Sequence, residues 1–264
     1  MTRPRLYSTE ALVLRAAPLG EADRLLTLLT PALGKLQVKA RGVRKTASKL
    51  AGHLEPLTRS LLHLARGQTW DTITGAEARE SFLALKSDLA LLFRALYVAE
   101  VADLLSPLEE PAPPVYALLL EGMRALMAPG DLDLLLRYLE VHLLLCAGFL
   151  PEFQQCTECR EEVAPGRHLF SPQRGGVVCT SCGSPAHGDQ PISINALKVL
   201  RFLSTATFGS LRALRVPSAL HRELAQVLES FLRHVLEREV RSAAFLRLAV
   251  LGPSSLAPAS AREA

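Results

Sequence analysis

The chain lacks the short motifs that mark most enzymes. No Walker A loop occurs, so nucleotide hydrolysis has no support. No G-x-S-x-G, H-E-x-x-H or glycine-rich dinucleotide pattern is present. Carboxylates are scattered, mostly on predicted helix faces beside arginines, and a metal-dependent nuclease would have nothing else to rest on. Aromatic residues make up only 5% of the chain, with a single Trp. The start, MTRPRLYSTEAL, carries charge but no continuous apolar run or small-residue cleavage site, so no signal peptide is expected. The most apolar stretch, Leu132–Leu150, is interrupted by Arg137, Glu140 and His142, which argues against a membrane span. The expected location is the cytoplasm, where close cysteine pairs are read as metal ligands before disulfides. Together these absences describe a binding protein rather than an enzyme.

What is present begins with apolar content. Hydrophobic residues make up 49% of the 264, enough for a substantial core and two or three small domains. The net charge is only +4, but it is unevenly placed. Residues 1–80 hold 13 Lys+Arg against 7 Asp+Glu, and the remainder holds 17 against 19. The first third is therefore the part expected to meet a polyanion.

That third reads as five short strands: Thr9–Ala16, Asp23–Thr30, Gly34–Gly42, Leu57–Ala65 and Thr69–Ala78, with Gly-containing turns between them. This density suits a small barrel, an oligonucleotide-binding (OB) fold first and an SH3-like barrel as the alternative. From Phe82 the apolar period becomes helical. Helices are expected over Phe82–Leu105, from Pro113-Pro114 to Met127, from an Asp131 cap to Ala147, from a Ser193 cap to Thr205, and from Pro217-Ser218 to Arg238. The expected fold is α+β and multidomain: an OB barrel (1–80), a helical bundle in two parts (81–150 and 192–250), a metal-binding insertion (151–191) and a disordered tail (251–264).

The stretch Gly34–Lys49 carries Lys35, Lys39, Arg41, Arg44, Lys45 and Lys49 and no acidic residue. Strand alternation puts Lys35, Gln37, Lys39 and Arg41 on one face and Leu36, Val38 and Ala40 on the other. One face can bury while the other offers a row of cations to a phosphate backbone; a merely solvated face is the competing reading. Arg15 and Arg24 are further candidates, and Arg212 and Arg215 could extend the path. Glu21 and Asp23, in the turn before the second strand, could hold loop amides or pair with Arg24.

The most specific motif is Cys156-Thr-Glu-Cys159 with Cys179-Thr-Ser-Cys182, separated by 19 residues. Four thiolates at this spacing close a tetrahedron around zinc, so one structural Zn2+ is expected, with two disulfides as the alternative. A full set of cysteines leaves His168 and His187 unneeded as ligands. It also leaves no open position for a catalytic water. Cys146 is expected as a buried small hydrophobe, and His142 as a packed or hydrogen-bonded residue.

Several stretches together resemble the RecO family of bacterial DNA repair and recombination mediators, over about residues 8–245. They are GEADRLLTLLTPALGK (Gly20–Lys35), ARGVRKTASKL (Ala40–Leu50), LEPL (Leu54–Leu57), YVAEVADLL (Tyr97–Leu105), RYLEVHLLLCAGFLP (Arg137–Pro151) and GGVVCTSC (Gly175–Cys182). The resemblance implies an OB-fold, a helical domain and, in many members, a four-Cys zinc element. It implies binding of single- and double-stranded DNA, ATP-independent strand annealing, and help in replacing single-strand-binding protein with RecA. Implied partners are RecR and the acidic C-terminal tail of single-strand-binding protein, and the implied setting is a bacterial cytoplasm near the nucleoid. Base-stacking aromatics, usual in single-strand-binding barrels, are scarce: residues 1–80 offer only Tyr7 and Trp70. Backbone electrostatics is therefore expected to dominate. The competing function is a helical scaffold that recruits proteins, with DNA contact incidental.

Overall fold

The computed structural model describes residues 5–163, 166, 168–185 and 188–246. The expected disordered tail (251–264) and His187 lie outside the described residues. The described chain forms two compact units, one running to Met127 and resuming at Val240, the other from Ala128 to Glu239.

In the first unit five strands, β1 (Leu6–Leu19), β2 (Asp23–Thr30), β3 (Gly34–Ala40), β4 (Arg59–Ala65) and β5 (Asp71–Glu80), close into a barrel of order β1-β2-β3-β5-β4. β1 is longer than its sequence pattern indicates, because it serves two neighbours. Leu6–Leu12 pairs with β4 and Leu12–Leu19 with β2, with a register shift between Val13 and Arg15 that bends it from one to the other. Parallel pairing of β3 with β5, at Val38↔Asp71 and Lys39↔Thr72, completes the closure. This order selects the OB-fold over the SH3-like alternative.

Alternation acts as expected along β3. Val38 and Ala40 are buried with Ala11, Val13, Leu26, Leu28, Leu62 and Leu64 in the barrel core. Each fully buried Leu there contributes about 1.5–3 kcal/mol relative to an exposed one. The connection from β3 to β4 contains a short 3-10 turn, Ala51–His53, and is pinned to the core at two points by the buried Val43 and Leu54.

The helix expected over Phe82–Leu105 is two helices, α1 (Leu83–Ser87) and α2 (Leu89–Leu105). Asp88 separates them. Its backbone is extended, and its carboxylate accepts the Ala90 and Leu91 N–H groups as the cap of α2. A capping side chain immediately before an apolar run is a helix start, and the periodicity of the run hid it. α3 (Pro113–Leu126) follows. The segment between α2 and α3 lies along β3: Glu109 N–H donates to the Lys35 carbonyl at 2.9 Å, and a Cβ on Gly34 (φ +67°) would lie 1.9 Å from the Glu110 carbonyl oxygen. Gly34 is thus required both by its backbone and by this contact. Residues 81–127 lie in the same compact unit as the barrel.

The second unit contains α4 (Leu132–Cys146), α5 (Ile194–Thr205) and α6 (Ser218–Leu236). Asp131 caps α4 as expected and also holds His221 of α6 at 3.0 Å. Ser193 caps α5, accepting the Ala196 N–H. His142 is packed: its ring lies 4.1 Å from that of Tyr138 and its Nε2 sits 2.9 Å from the Leu203 carbonyl. Cys146 corrects the expectation made for it. It occupies the last turn of α4, where the helix presents it to solvent. Among the described residues no helix is long and apolar enough to cross a membrane.

Between α4 and α5 a three-stranded sheet forms from β6 (His168–Ser171), β7 (Gly176–Cys179) and β8 (Gln190–Ile192), in the order β7-β6-β8. A turn through Gly175 joins the first two, as its sequence indicates. The sheet is tied into its unit. The fully buried Phe170 stacks on Phe153 at 6.4 Å and meets Phe231 of α6 edge-on at 5.9 Å.

Candidate nucleic-acid interface and metal centre

The outward face of β3 does not treat its cations alike. Lys35 begins the strand where the α2–α3 segment covers it. Its side chain is only 14% exposed and its Nζ lies 3.2 Å from Asp103 Oδ1 while also donating to the Asp103 carbonyl. Lys39 is paired with Asp23 at 3.0 Å. Arg15 reaches Asp103 at 3.3 Å and Thr27 through a second nitrogen, with most of its side chain still exposed. The row expected to stand without counter-charges therefore has them. They come from Asp23, 16 positions before Lys39, and Asp103, 68 positions after Lys35. A reading confined to Gly34–Lys49 contained neither carboxylate.

Beyond the strand the arrangement opens. Arg41, Arg44, Lys45 and Lys49 are exposed. Their backbone is held firmly. Asp23 Oδ1 accepts the Gly42 N–H at 2.8 Å, Arg44 N–H donates to the Ala22 carbonyl at 3.0 Å, and the Arg44 guanidinium donates to the Gly20 carbonyl at 3.0 Å. Asp23 thus holds a loop amide, one of the roles the sequence allowed it, but its charge partner is Lys39 rather than Arg24. The Gly42 N–H first, and then Lys39, hold its carboxyl below the ordinary carboxylate range. Arg24 sits opposite Ala40 at the end of the β2–β3 ladder, partly exposed and, among the described residues, without an ion-pair partner. Arg41 and Arg24 thus flank the turn to which the loop is tied.

The aromatic side chains of the barrel divide in the same way. Tyr7 is occupied: its hydroxyl donates to Asp71 Oδ2 at 2.5 Å and the Arg66 guanidinium lies 4.8 Å over its ring. Burial and the Asp71 hydrogen bond push its phenol well above the ordinary range. In the second unit Arg212 and Arg215 are exposed, on and after a 3-10 segment, Phe208–Ala213.

The four cysteines predicted as ligands are brought together. Cys156, Cys159, Cys179 and Cys182 place their sulfurs within 4.8 Å of one another. The first knuckle is shaped by Cys156 N–H donating to Glu161 O and Arg160 N–H donating to Cys156 O, and it is fastened to β7 by Thr157 N–H donating to Val177 O. In the second, Cys182 and Gly183 N–H groups both point at the Cys179 carbonyl. The donor set fits a metal ion. Sulfurs around a tetrahedral ion with bonds of about 2.3 Å stand about 3.8 Å apart, and the Cys159 and Cys179 sulfurs are 3.9 Å apart. A disulfide needs about 2.05 Å, and all five cysteines are free thiols.

The acidity of the group points the same way. Burial opposes ionisation of Cys156, but N–H groups of Cys179, Cys159 and Glu158 outweigh it and bring the thiol down to about 6. Cys182 is pushed up to about 12, by its hydrogen bond with Cys179, by desolvation and by Cys159. One thiolate therefore forms readily while Cys159 and Cys182 resist, which is the condition a cation relieves. Arg174 completes the site and was missed in the sequence. It donates to the Cys182 carbonyl at 3.1 Å, pairs with Asp189, and lies 3.6 Å from Glu158, joining the two knuckles. No spacing rule marks such a residue, because its partners run from Glu158 to Asp189, on both sides of it in the chain.

Two known family models together span almost the whole chain. Residues 1–82 match that of the Recombination protein O N terminal, and residues 86–244 that of the Recombination protein O C terminal. Among curated relatives, a DNA repair protein RecO of Dehalococcoides mccartyi is 39% identical over 242 residues, 92% of this chain and 95% of that protein. Those of Roseiflexus sp. and Desulforudis audaxviator are 39% and 40% identical, over 92% and 91% of this chain and 86% and 96% of their own lengths. A closed OB barrel, a four-cysteine centre between helices, and similarity that extends across both units converge on one conclusion: the chain belongs to the RecO family of DNA repair proteins.

Proposed function

We propose that the protein is a DNA-binding recombination mediator that holds single- and double-stranded DNA by the sugar–phosphate backbone and anneals complementary strands without ATP or covalent chemistry. The observation that carries this reading is the β3–β4 loop. Arg41, Arg44, Lys45 and Lys49 are exposed on a segment anchored by Val43, Leu54 and Asp23. Cations held at fixed spacing displace counterions from a phosphate chain at a small entropic cost. Arg24 extends the set, and Lys39 joins it when a phosphate competes for its ion pair. Lys35 is withdrawn from the contact row, since its ammonium is committed to Asp103. Arg15, mostly exposed, remains a contact, and Arg212 and Arg215 are the candidates on the second unit.

Annealing follows from the same arrangement. Cations shield two phosphate chains from each other while the bases stay free to pair. The family relationship supports the partners: RecR, the acidic tail of single-strand-binding protein and, through their exchange, RecA. Four thiolates and a closed coordination shell favour zinc, with Cys156, Cys159, Cys179 and Cys182 as its ligands. The ion would neutralise their charge and hold the two knuckles together. Elemental analysis should find about one zinc per chain. The central test is annealing of labelled complementary strands by purified protein in the absence of nucleotide. Accelerated annealing is expected, and a protein that binds partners but leaves the annealing rate unchanged would be a scaffold instead.

A further inference from the structure

The hairpin joining β4 to β5 presents the chain's single tryptophan, and we propose that Trp70 is a stacking platform for one unpaired base, giving the barrel a preference for single-stranded over duplex DNA. The inference rests on the backbone-binding reading above. Three observations carry it.

The first is that the hairpin is built to be rigid. Asp71 Oδ1 accepts the Gly67 N–H at 3.0 Å while Oδ2 accepts the Tyr7 hydroxyl, and Arg66 N–H donates to the Arg5 carbonyl. The turn is so tight that a Cβ on Gly67 would lie 2.0 Å from the Trp70 carbonyl oxygen. A residue held this way loses little freedom on binding.

The second is that the indole is free. It is partly exposed, and it makes no hydrogen bond and no ring contact with any described residue. Tyr7, the other aromatic residue of the barrel strands and their turns, has its ring covered by Arg66. Burial of a tryptophan normally accounts for a large share of local packing energy, and here the ring is left partly open.

The third is its place beside the cations. β5 starts at Asp71 and runs parallel to β3, with Asp71 opposite Val38 and Thr72 opposite Lys39. Val38 points into the core, so alternation turns Thr72 to the outward side that Lys39 occupies, and Trp70 stands in the bend two residues before Thr72. Adjacent strands lie about 4.8 Å apart, which places the Trp70 backbone roughly 8–10 Å from that of Lys39. A base can reach the indole while its flanking phosphates lie towards Lys39 and Arg41. Duplex DNA has no unpaired base to offer, so it gains only the electrostatic part. One platform, rather than a row, also leaves most bases free to pair.

Because Trp70 is the only tryptophan, intrinsic fluorescence excited at its red edge reports on this position alone. Titration with an oligo(dT) strand should quench it to saturation, and a duplex of equal length should not. Trp70→Ala should weaken single-strand binding by about tenfold and duplex binding much less, measured by anisotropy of labelled DNA. Trp70→Phe, which keeps a smaller ring and the fold, should fall between. Saturated single-strand binding with unmoved fluorescence, or equal losses for both DNA forms in both variants, would overturn the platform and leave the basic loop standing. Binding of neither DNA form by the unaltered protein would overturn both.

Discussion

The β3–β4 loop and the four-cysteine centre both present ligands from short turns, yet they arrange charge in opposite ways. The loop spreads Arg41, Arg44, Lys45 and Lys49 along an exposed path, and its acidic neighbour Asp23 is used on the backbone and on Lys39. The metal centre crowds four thiols within 4.8 Å, where Cys179 and Cys159 oppose ionisation of Cys182. Spread charge suits a long ligand that carries its own repeating charge, and its strength is shared over many weak contacts. Concentrated charge suits one small cation, and without it the site is electrostatically frustrated. The loop should therefore tolerate single substitutions, and the metal centre should not.

That contrast can be broken in order of expected effect. Cys179→Ser should be the most damaging change. It should abolish stoichiometric metal and lower the melting temperature of the second unit sharply, since a structural site contributes folding free energy directly; retained zinc with an unchanged melt would place the ion elsewhere. Next, Arg41, Arg44 and Lys45 changed together to Ala should weaken single-strand and duplex binding alike and flatten the salt slope for single strands by about 2, from roughly 0.7 per lost phosphate contact. A slope that stays put in titrations at several salt concentrations would remove the loop from the interface. Lys35→Ala should behave differently from its neighbours on the same strand. Leaving Asp103 without this largely buried partner, with only the exposed Arg15 still beside it, should cost about 1–3 kcal/mol of stability, read by denaturant unfolding, with the salt slope intact.

The smallest effect concerns acid. The Asp23 carboxyl is held below its ordinary value by the Gly42 N–H and by Lys39, so its contribution to folding is present above its unfolded pKa and fades as pH falls through the depressed folded value. Below about pH 4 the loop should loosen before the barrel does. Amide exchange at Gly42 that stays slow while pH is lowered through this range would show that Asp23 does not hold the turn.

Much of this was legible in the sequence because it is local. The alternation of β3, the caps at Asp131 and Ser193, the C-x-x-C knuckles and the Gly175 turn each follow from residues within a few positions. The break between α1 and α2 was also local, but Asp88 lies inside a run whose period outweighed its capping chemistry. Cys146 was misread because helical apolarity does not say which face of the last turn is covered.

What the chain alone determined is the inventory and its spacing: five strands with one cationic face, helices with defined starts, and four thiols paired so that a metal can join them. Tertiary structure decided which of those charges remain available. Asp103 reaches Lys35 and Arg15 across more than sixty positions because α2 packs against the barrel, and Arg174 joins the knuckles because β6 and β7 bring them side by side. Coulomb attraction depends on separation in space, and a strip of sequence states only separation along the chain.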